Sequence, residues 1–157
     1  MACVKCCLLY TSHVHGEACG CGNDGCLERY ASTSALIRKV QKQFPSMTDL
    51  NGIKIFQSMQ QGDKDIQKIV DEWIEDIVAG TISLIHIFNP EMIVIGGGIS
   101  HEKELLIEPL RKKILERAMP VFAKNLEIKQ ATLGNLAGMI GAVYHFMNHE
   151  EKNIHGI

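Results

Sequence analysis

Apolar residues recur at three- and four-residue intervals along three stretches of the chain, which is the spacing of an amphipathic helix. The first predicted helix covers about 27–44, the second covers 53–60, and the third covers about 64–88 before Asn89-Pro90 ends it. The carboxylates of the third helix are predicted to form its solvated face: Asp71, Glu72, Glu75 and Asp76.

The second half of the chain alternates short β-rich runs with helical spacing. Residues 92–95 form a continuous apolar run, which predicts a strand buried on both faces. A helix is predicted over about 101–118, a second strand over 126–131, and a last helix over 134–147. The order helix, strand, helix, strand, helix indicates an α/β domain.

The composition is that of an ordinary globular protein. The chain has 157 residues, 46 % of them hydrophobic and 22 % charged, which suits one compact domain. A net charge of -2 gives no electrostatic reason to expect a nucleic-acid partner. The apolar runs fall short of the roughly 20 residues that cross a bilayer, and no signal-peptide pattern is present. We therefore expect a cytoplasmic protein with no membrane partner.

The cysteines are confined to the first part of the chain. A disulfide framework is usually spread through the fold of a secreted protein, whereas clustered thiols in a cytosolic context favour a metal site. The six cysteines are Cys3, Cys6, Cys7, Cys19, Cys21 and Cys26.

Three of these thiols form a compact motif with the spacing Cys19-x-Cys21-x4-Cys26. Structural zinc is normally held by four cysteine or histidine ligands, and the intervening glycines allow the backbone to fold tightly around an ion. A fourth ligand must come from elsewhere, and His13, His15 and the earlier cysteines are the candidates. The alternative is three thiols in a glycine-rich loop without metal.

A second glycine-rich segment follows the strand predicted at 92–95. Gly96, Gly97 and Gly98 would let a phosphate approach the backbone, and Ser100 could cap the helix that follows. The pattern is short, and a tight turn packed against the next helix explains it equally well.

The stretch CGCGNDGCLERYAS resembles the signature of ROK proteins, a family of repressors, open reading frames and kinases. The resemblance extends to NPEMIVIGGGIS at 89–100 and to the closing ATLGNLAGMIGAVYHF, so that it spans about 16–147. The residues that match the second half of the signature are Cys19, Cys21, Gly22, Gly25, Cys26 and Glu28.

This resemblance implies the actin/hexokinase (ribonuclease H-like) fold, which has two lobes. A full member is roughly twice as long, so the chain would be an incomplete C-terminal lobe over 14–149, with its zinc loop at 19–26. Residues 1–13 would lie outside the family pattern, and 150–157 would form a frayed tail. In ROK kinases the three cysteines and a motif histidine hold structural zinc, the glutamate that matches Glu28 binds sugar hydroxyls, and the matching glycines approach ATP.

The chain departs from the family pattern before Cys19. The motif histidine should stand at position 9, which is Leu9, so we expect His15 to replace it as a zinc ligand. The family's N-terminal phosphate loop and its catalytic aspartate are absent from this sequence. Asn23-Asp24 offers a similar dipeptide, but within the cysteine loop it is interpreted as a turn.

The resemblance implies a glucokinase-like hexose kinase, represented here by a C-terminal fragment that we expect to be inactive alone. The full-length enzyme would use ATP and Mg²⁺ to phosphorylate a sugar hydroxyl. An alternative is an ROK repressor that responds to a sugar and whose DNA-binding region is not in this chain. A third hypothesis, a zinc module that binds nucleic acid or protein, is disfavoured by the charge. ROK proteins form dimers, so a homodimer stays open.

Overall fold

The computed structural model describes residues 12–99 and 102–154. Several sequence predictions lie outside these residues, including those on Cys3, Cys6, Cys7, Leu9 and Ser100. Within the described part, no helix combines the length and the apolarity that a bilayer span requires.

Four helices make up the first half of the fold, and their positions follow the predicted pattern closely. The helix expected over 27–44 is divided at Ser32, whose extended backbone (ψ 160°) interrupts the helical hydrogen bonding. The Ser32 hydroxyl then accepts a hydrogen bond from the Ala35 N–H (3.1 Å) and caps the second helix. The helices are α1 (Glu28–Ala31), α2 (Thr33–Gln43), α3 (Gly52–Gln60) and α4 (Lys64–Phe88).

The second half contains a two-stranded parallel sheet and the segments that connect and follow it. Strands β1 (Met92–Ile95) and β2 (Glu127–Gln130) pair with Ile93 opposite Ile128. The connection between them contains a short helix that the sequence pattern did not predict, α6 (Pro120–Ala123). The remaining segments are a π-helical turn (Lys103–Ile107), α5 (Glu108–Arg117), a 3-10 turn (Gly134–Leu136) and α7 (Ala137–Ile154), which includes the start of the tail expected at 150.

Strand β1 is not buried on both faces, so that expectation was wrong. Met92 and Val94 are 44 % and 57 % exposed, whereas Ile93 and Ile95 are partly covered by the core. Among the described residues, the helices therefore cover one face of the sheet and leave the other open.

The core lies where α2, α3, α4 and α5 meet. Trp73 of α4 is 2 % exposed, and its indole N–H donates a hydrogen bond to the Ser32 carbonyl (3.0 Å) at the break between α1 and α2. Burying such a ring excludes a large apolar area from water while the polar N–H keeps a partner. The other large side chains with almost no exposure are Leu36, Val40, Ile55, Phe56, Ile66, Val70, Ile74, Ile85, Ile107, Leu110 and Ile114.

Two of the α4 carboxylates make ion pairs that the prediction of a solvated face did not include, and one of them, Asp76, is mostly buried. Glu75 forms ion pairs with Lys113 and Arg117 of α5. Asp76 accepts a hydrogen bond from Lys39 of α2 (2.7 Å), and its side chain is only 18 % exposed. These two residues therefore tie α4 to its neighbours on both sides. Their partners stand 37 or more positions away, so helical periodicity could not reveal them.

Helix α7 stands apart from this core. Residues 137–147 carry no Asp, Glu, Lys or Arg, yet every one of them is exposed. A Cβ atom added at Gly138 or Gly141 would meet nothing within 4 Å, so no close helix packing forms at these glycines within the described residues. A helix that is apolar on all sides is normally buried.

We expect the ion pairs of Glu75 to stabilise the fold modestly and in a pH-dependent way. Hydrogen bonds from Arg117 and then Lys113 lower the pKa of Glu75 below its usual 4.5. A lowered pKa means that the stabilisation is complete above pH 4.5 and is lost as the pH falls through the lowered value. Glu75→Gln should lower the thermal midpoint at pH 7 by about 1–3 °C, because partly exposed ion pairs contribute little.

Thermal unfolding followed by circular dichroism at pH 7 and in acid measures this effect. Glu72→Gln is the matched control, since Glu72 is an exposed carboxylate on the same helix. Equal midpoints for the Glu75 and Glu72 variants at pH 7 would contradict the stabilising role.

Candidate metal centre and the adjoining cleft

The three thiols of the predicted motif come together in the loop before α1. Cys26 is completely buried, Cys19 is 9 % exposed, and Cys21 is partly exposed. Their Sγ atoms all lie within 4.8 Å of one another, and those of Cys21 and Cys26 are 3.5 Å apart. Tetrahedral zinc with Zn–S bonds of about 2.3 Å needs Sγ atoms roughly 3.8 Å apart. The cluster therefore fits a zinc ion after small adjustments.

The backbone of the loop folds back on itself between these cysteines. The Cys19 N–H donates to the Asn23 carbonyl (2.7 Å), and the Gly22 N–H donates to the Cys19 carbonyl (3.0 Å). Asp24 forms an isolated antiparallel bridge with Ala18. Asn23-Asp24 thus lies in a tight turn, as its position in the loop predicted.

The two histidines near the loop occupy different environments. His15 is exposed, has a φ of 57°, and does not belong to the group of ligand atoms formed by the three thiols. The ring of His13 stacks on Tyr30 with centroids 3.7 Å apart, and its Nε2 lies 3.4 Å from Asp76. Over residues 12–99 and 102–154, the one group of side chains that could hold a metal ion consists of these cysteines alone.

Glu28 projects into solvent beside this cluster. It is the first residue of α1, and its Oε2 lies 4.0 Å from Cys19 Sγ. The position follows from the sequence, because only Leu27 separates Glu28 from the buried Cys26. The loop therefore determines where this carboxylate stands.

The glycine turn after β1 presents an open surface. Gly97 has a φ of 118°, which favours glycine, and a Cβ atom added at Gly97 or Gly98 would meet nothing within 4 Å. Gly96 instead lies against Ala131, at 3.2 Å from a Cβ placed there. Helical structure resumes at Lys103 after Glu102, which gives no side-chain cap. The turn itself, and not an adjacent helix start, is the surface available for close approach.

A cleft of 260 Å³ links the two candidate segments. Leu27 and Ala31 border it on the side of α1, and Gly96 and Ile99 border it on the side of the glycine turn. Trp73 and several aliphatic side chains form most of its wall, so the cleft is mostly apolar. Leu27, which precedes Glu28, and Gly96, which begins the turn at 96–98, thus face a common space.

The contacts of His13, Tyr30 and Asp76 were not found by sequence reasoning. The sequence pattern indicates His13 only as a candidate metal ligand and Asp76 only as a solvated residue. His13 stands 17 positions before Tyr30 and 63 positions before Asp76, so no local pattern joins them.

Comparison with known proteins gives consistent matches to one family. Residues 9–149 match the ROK family. The chain is similar to a glucokinase of Thermotoga maritima, with 34 % identity over 142 residues that cover 82 % of this chain and 44 % of that protein. It is also similar to a xylose repressor of Caldicellulosiruptor bescii, with 32 % identity over 144 residues that cover 85 % of this chain and 36 % of the repressor.

Among solved structures, the chain is similar to an ROK family glucokinase from Streptomyces griseus in complex with glucose and AMPPNP. The TM-score is 0.71 at 28 % identity, and the match covers 83 % of this chain and 47 % of that one. The helices and small parallel sheet therefore belong to the actin/hexokinase type of fold, as the resemblance implied. The chain spans less than half the length of these relatives.

We expect Gly25→Ala to disrupt the loop, because Gly25 is buried, has a φ of 69°, and a Cβ there would overlap the His13 carbonyl oxygen. The variant should lose about 2–4 kcal/mol of unfolding free energy from backbone strain and overlap together. Urea unfolding measures the loss. Gly20→Ala is the control, since a Cβ at Gly20 meets nothing within 4 Å. Equal destabilisation by both substitutions would show that the contact with His13 is unimportant.

Proposed function

The chain belongs to the ROK family, and from this we propose that it is part of a glucokinase-like hexose kinase, which transfers the γ-phosphate of ATP to a sugar hydroxyl. The observation that carries the proposal is the position of Glu28 next to the thiol cluster and next to Leu27, which borders the cleft. The 34 % identity with a glucokinase supports the same reaction. The chain would be the C-terminal lobe over 14–149 of a cytoplasmic protein, with 1–13 and 150–157 outside that lobe.

In this proposal a structural zinc ion is held by Cys19, Cys21 and Cys26, with His15 as the expected fourth ligand. Thiolates are good zinc ligands, and the spacing of the Sγ atoms supports the assignment. His15 would have to turn toward the thiols, which its exposed position allows. The ion supplies a rigid cross-link that keeps the loop and α1 in place.

Glu28 would bind the sugar. An ionised carboxylate accepts hydrogen bonds from hydroxyl groups with charge-assisted strength, and two oxygens can engage neighbouring hydroxyls. Its exposure leaves the carboxylate available to a ligand. The apolar wall of the cleft, which includes Trp73, would exclude water from the other side of the sugar site.

Gly96, Gly97 and Gly98 would lie against ATP. The absence of side chains at the turn allows a phosphate or ribose to approach the backbone closely, and the open space around Gly97 and Gly98 supports this. Mg²⁺ would accompany the nucleotide and neutralise developing charge during transfer. The family's catalytic aspartate and phosphate loop are not in this sequence, so the chain alone would be inactive.

The second candidate function is that of a sugar-responsive repressor, and its support is the 32 % identity with a xylose repressor over 85 % of this chain. A repressor and a kinase would share the zinc loop and the sugar-binding glutamate. Only the kinase would need the glycine turn for ATP. In the repressor case a homodimer would be expected, because operators are commonly two-fold symmetric.

The sugar-binding role predicts the behaviour of Glu28→Gln in the full-length protein that contains this chain. We expect the catalytic efficiency with glucose to fall by about 10²-fold, because a neutral amide replaces a charge-assisted acceptor. Steady-state phosphorylation kinetics measure this loss. Glu72→Gln, the same change at an exposed position of α4, should have no effect. Unchanged kinetics in the Glu28 variant would remove Glu28 from the sugar site.

The metal assignment predicts one zinc ion per chain. Elemental analysis of the purified protein should give a ratio near one, and Cys26→Ser should reduce it strongly because a buried thiolate ligand is lost. Glu72→Gln, at an exposed position of α4, is the control and should leave the ratio near one. A ratio near zero for the unmodified protein would refute zinc binding.

Measurements of ADP formation and of DNA binding distinguish a kinase from a repressor. The kinase proposal expects ADP formation that depends on hexose, at rates of about 1–100 per second in the full-length protein. Sugar-sensitive DNA binding that weakens steeply with salt, without ADP formation, would establish the repressor.

A further inference from the structure

We propose that His13, Tyr30 and Asp76 form a latch that holds the cysteine loop in its metal-binding shape before metal arrives. The latch would thereby compensate for the histidine ligand that the family pattern has at position 9, where this chain has Leu9. This inference rests on the proposed zinc site for its functional meaning, but the latch itself consists of contacts that require no metal.

Tyr30 contacts the segment before the cysteines at two points. Its ring stacks against His13 with an interplanar angle of 18°. Its hydroxyl accepts a hydrogen bond from the Glu17 N–H at 2.6 Å. Since Tyr30 belongs to α1, these contacts fasten residues 13–17 to the same short helix that begins with Glu28.

Residues 12–17 form hydrogen bonds with Gly25, the residue before Cys26. The His13 N–H and the Ser12 hydroxyl both donate to the Gly25 carbonyl at 3.0 Å. In the opposite direction, the Gly25 N–H donates to the Glu17 carbonyl at 2.8 Å. The position of Cys26 is therefore determined by hydrogen bonds within the protein.

Asp76 connects this segment to the body of the fold. Its Oδ1 lies 3.4 Å from His13 Nε2, and its Oδ2 accepts a hydrogen bond from Lys39 at 2.7 Å. Ser12, His13 and Asp76 also line a cavity of 240 Å³ against α4. The latch thus spans three elements: the loop, α1 and α4.

The consequence concerns the free energy of metal binding. A loop that is already ordered loses little conformational entropy when it captures an ion, whereas a disordered loop must be ordered at the same time. A site with few ligands depends on this difference more than a fully coordinated one does. Breaking the latch should therefore weaken zinc binding even though every thiol remains.

Two measurements on the 157-residue chain test the latch, and they use His13→Ala, Tyr30→Ala and the conservative Tyr30→Phe. In excess chelator, hydrogen exchange at the Gly25 amide should accelerate about tenfold or more in the two alanine variants. Competition with a chromophoric chelator should show zinc affinity reduced about tenfold or more. Tyr30→Phe keeps the stacked ring and loses only the hydroxyl, so both effects should be smaller.

Tyr144→Ala is the matched control, because Tyr144 is a 68 % exposed tyrosine on α7. Circular dichroism identifies any variant that fails to fold, in which case Tyr30→Phe decides the result. Unchanged exchange of the metal-free loop would overturn the latch. Faster exchange with unchanged zinc affinity would overturn its role in metal binding. If the unmodified chain binds no zinc but the alanine variants still accelerate hydrogen exchange at the Gly25 amide, the zinc proposal fails. The contacts of the latch in the metal-free chain are then confirmed.

Discussion

The hydrogen bond from the Trp73 indole to the Ser32 carbonyl fixes the geometry on which both candidate sites depend. Ser32 lies at the break between α1 and α2, so this bond sets the direction in which α1 leaves the core. Because the indole is buried, a misplaced Ser32 carbonyl would leave its N–H without a partner in an apolar environment, which is costly. The cysteine loop before α1 and the cleft beside it are both placed relative to this point.

The loop, the carboxylate and the cleft consequently act as one unit. Gly80 in the middle of α4 leaves room for Leu27, since any side chain there would overlap the leucine. Leu27 in turn separates the buried Cys26 from the exposed Glu28 and borders the cleft. A shift of the loop would therefore move the carboxylate and change the cleft wall together. In the proposed function, adjacent residues would carry the structural role and the ligand-binding role.

The sequence predicted most of this arrangement where local pattern is sufficient. Helix α4 agrees with its prediction at both ends, because its apolar period is long and Asp63 and Asn89 close it. The thiol cluster was also anticipated, since the three cysteines and their glycines stand within eight residues. Contacts between distant segments could not be predicted in this way. The partners of Glu75 and Asp76, the stacking of His13 on Tyr30 and the exposed face of β1 depend on tertiary packing, which leaves no periodic trace.

The exposed helix α7 has a consequence for the life of the protein in the cell. Eleven consecutive uncharged residues on an open helix are the kind of surface that chaperones bind and that quality-control proteases sample. With this helix exposed, each molecule is open to capture, degradation or aggregation. The abundance of the protein should then depend on this exposed surface, and not only on the stability of its core.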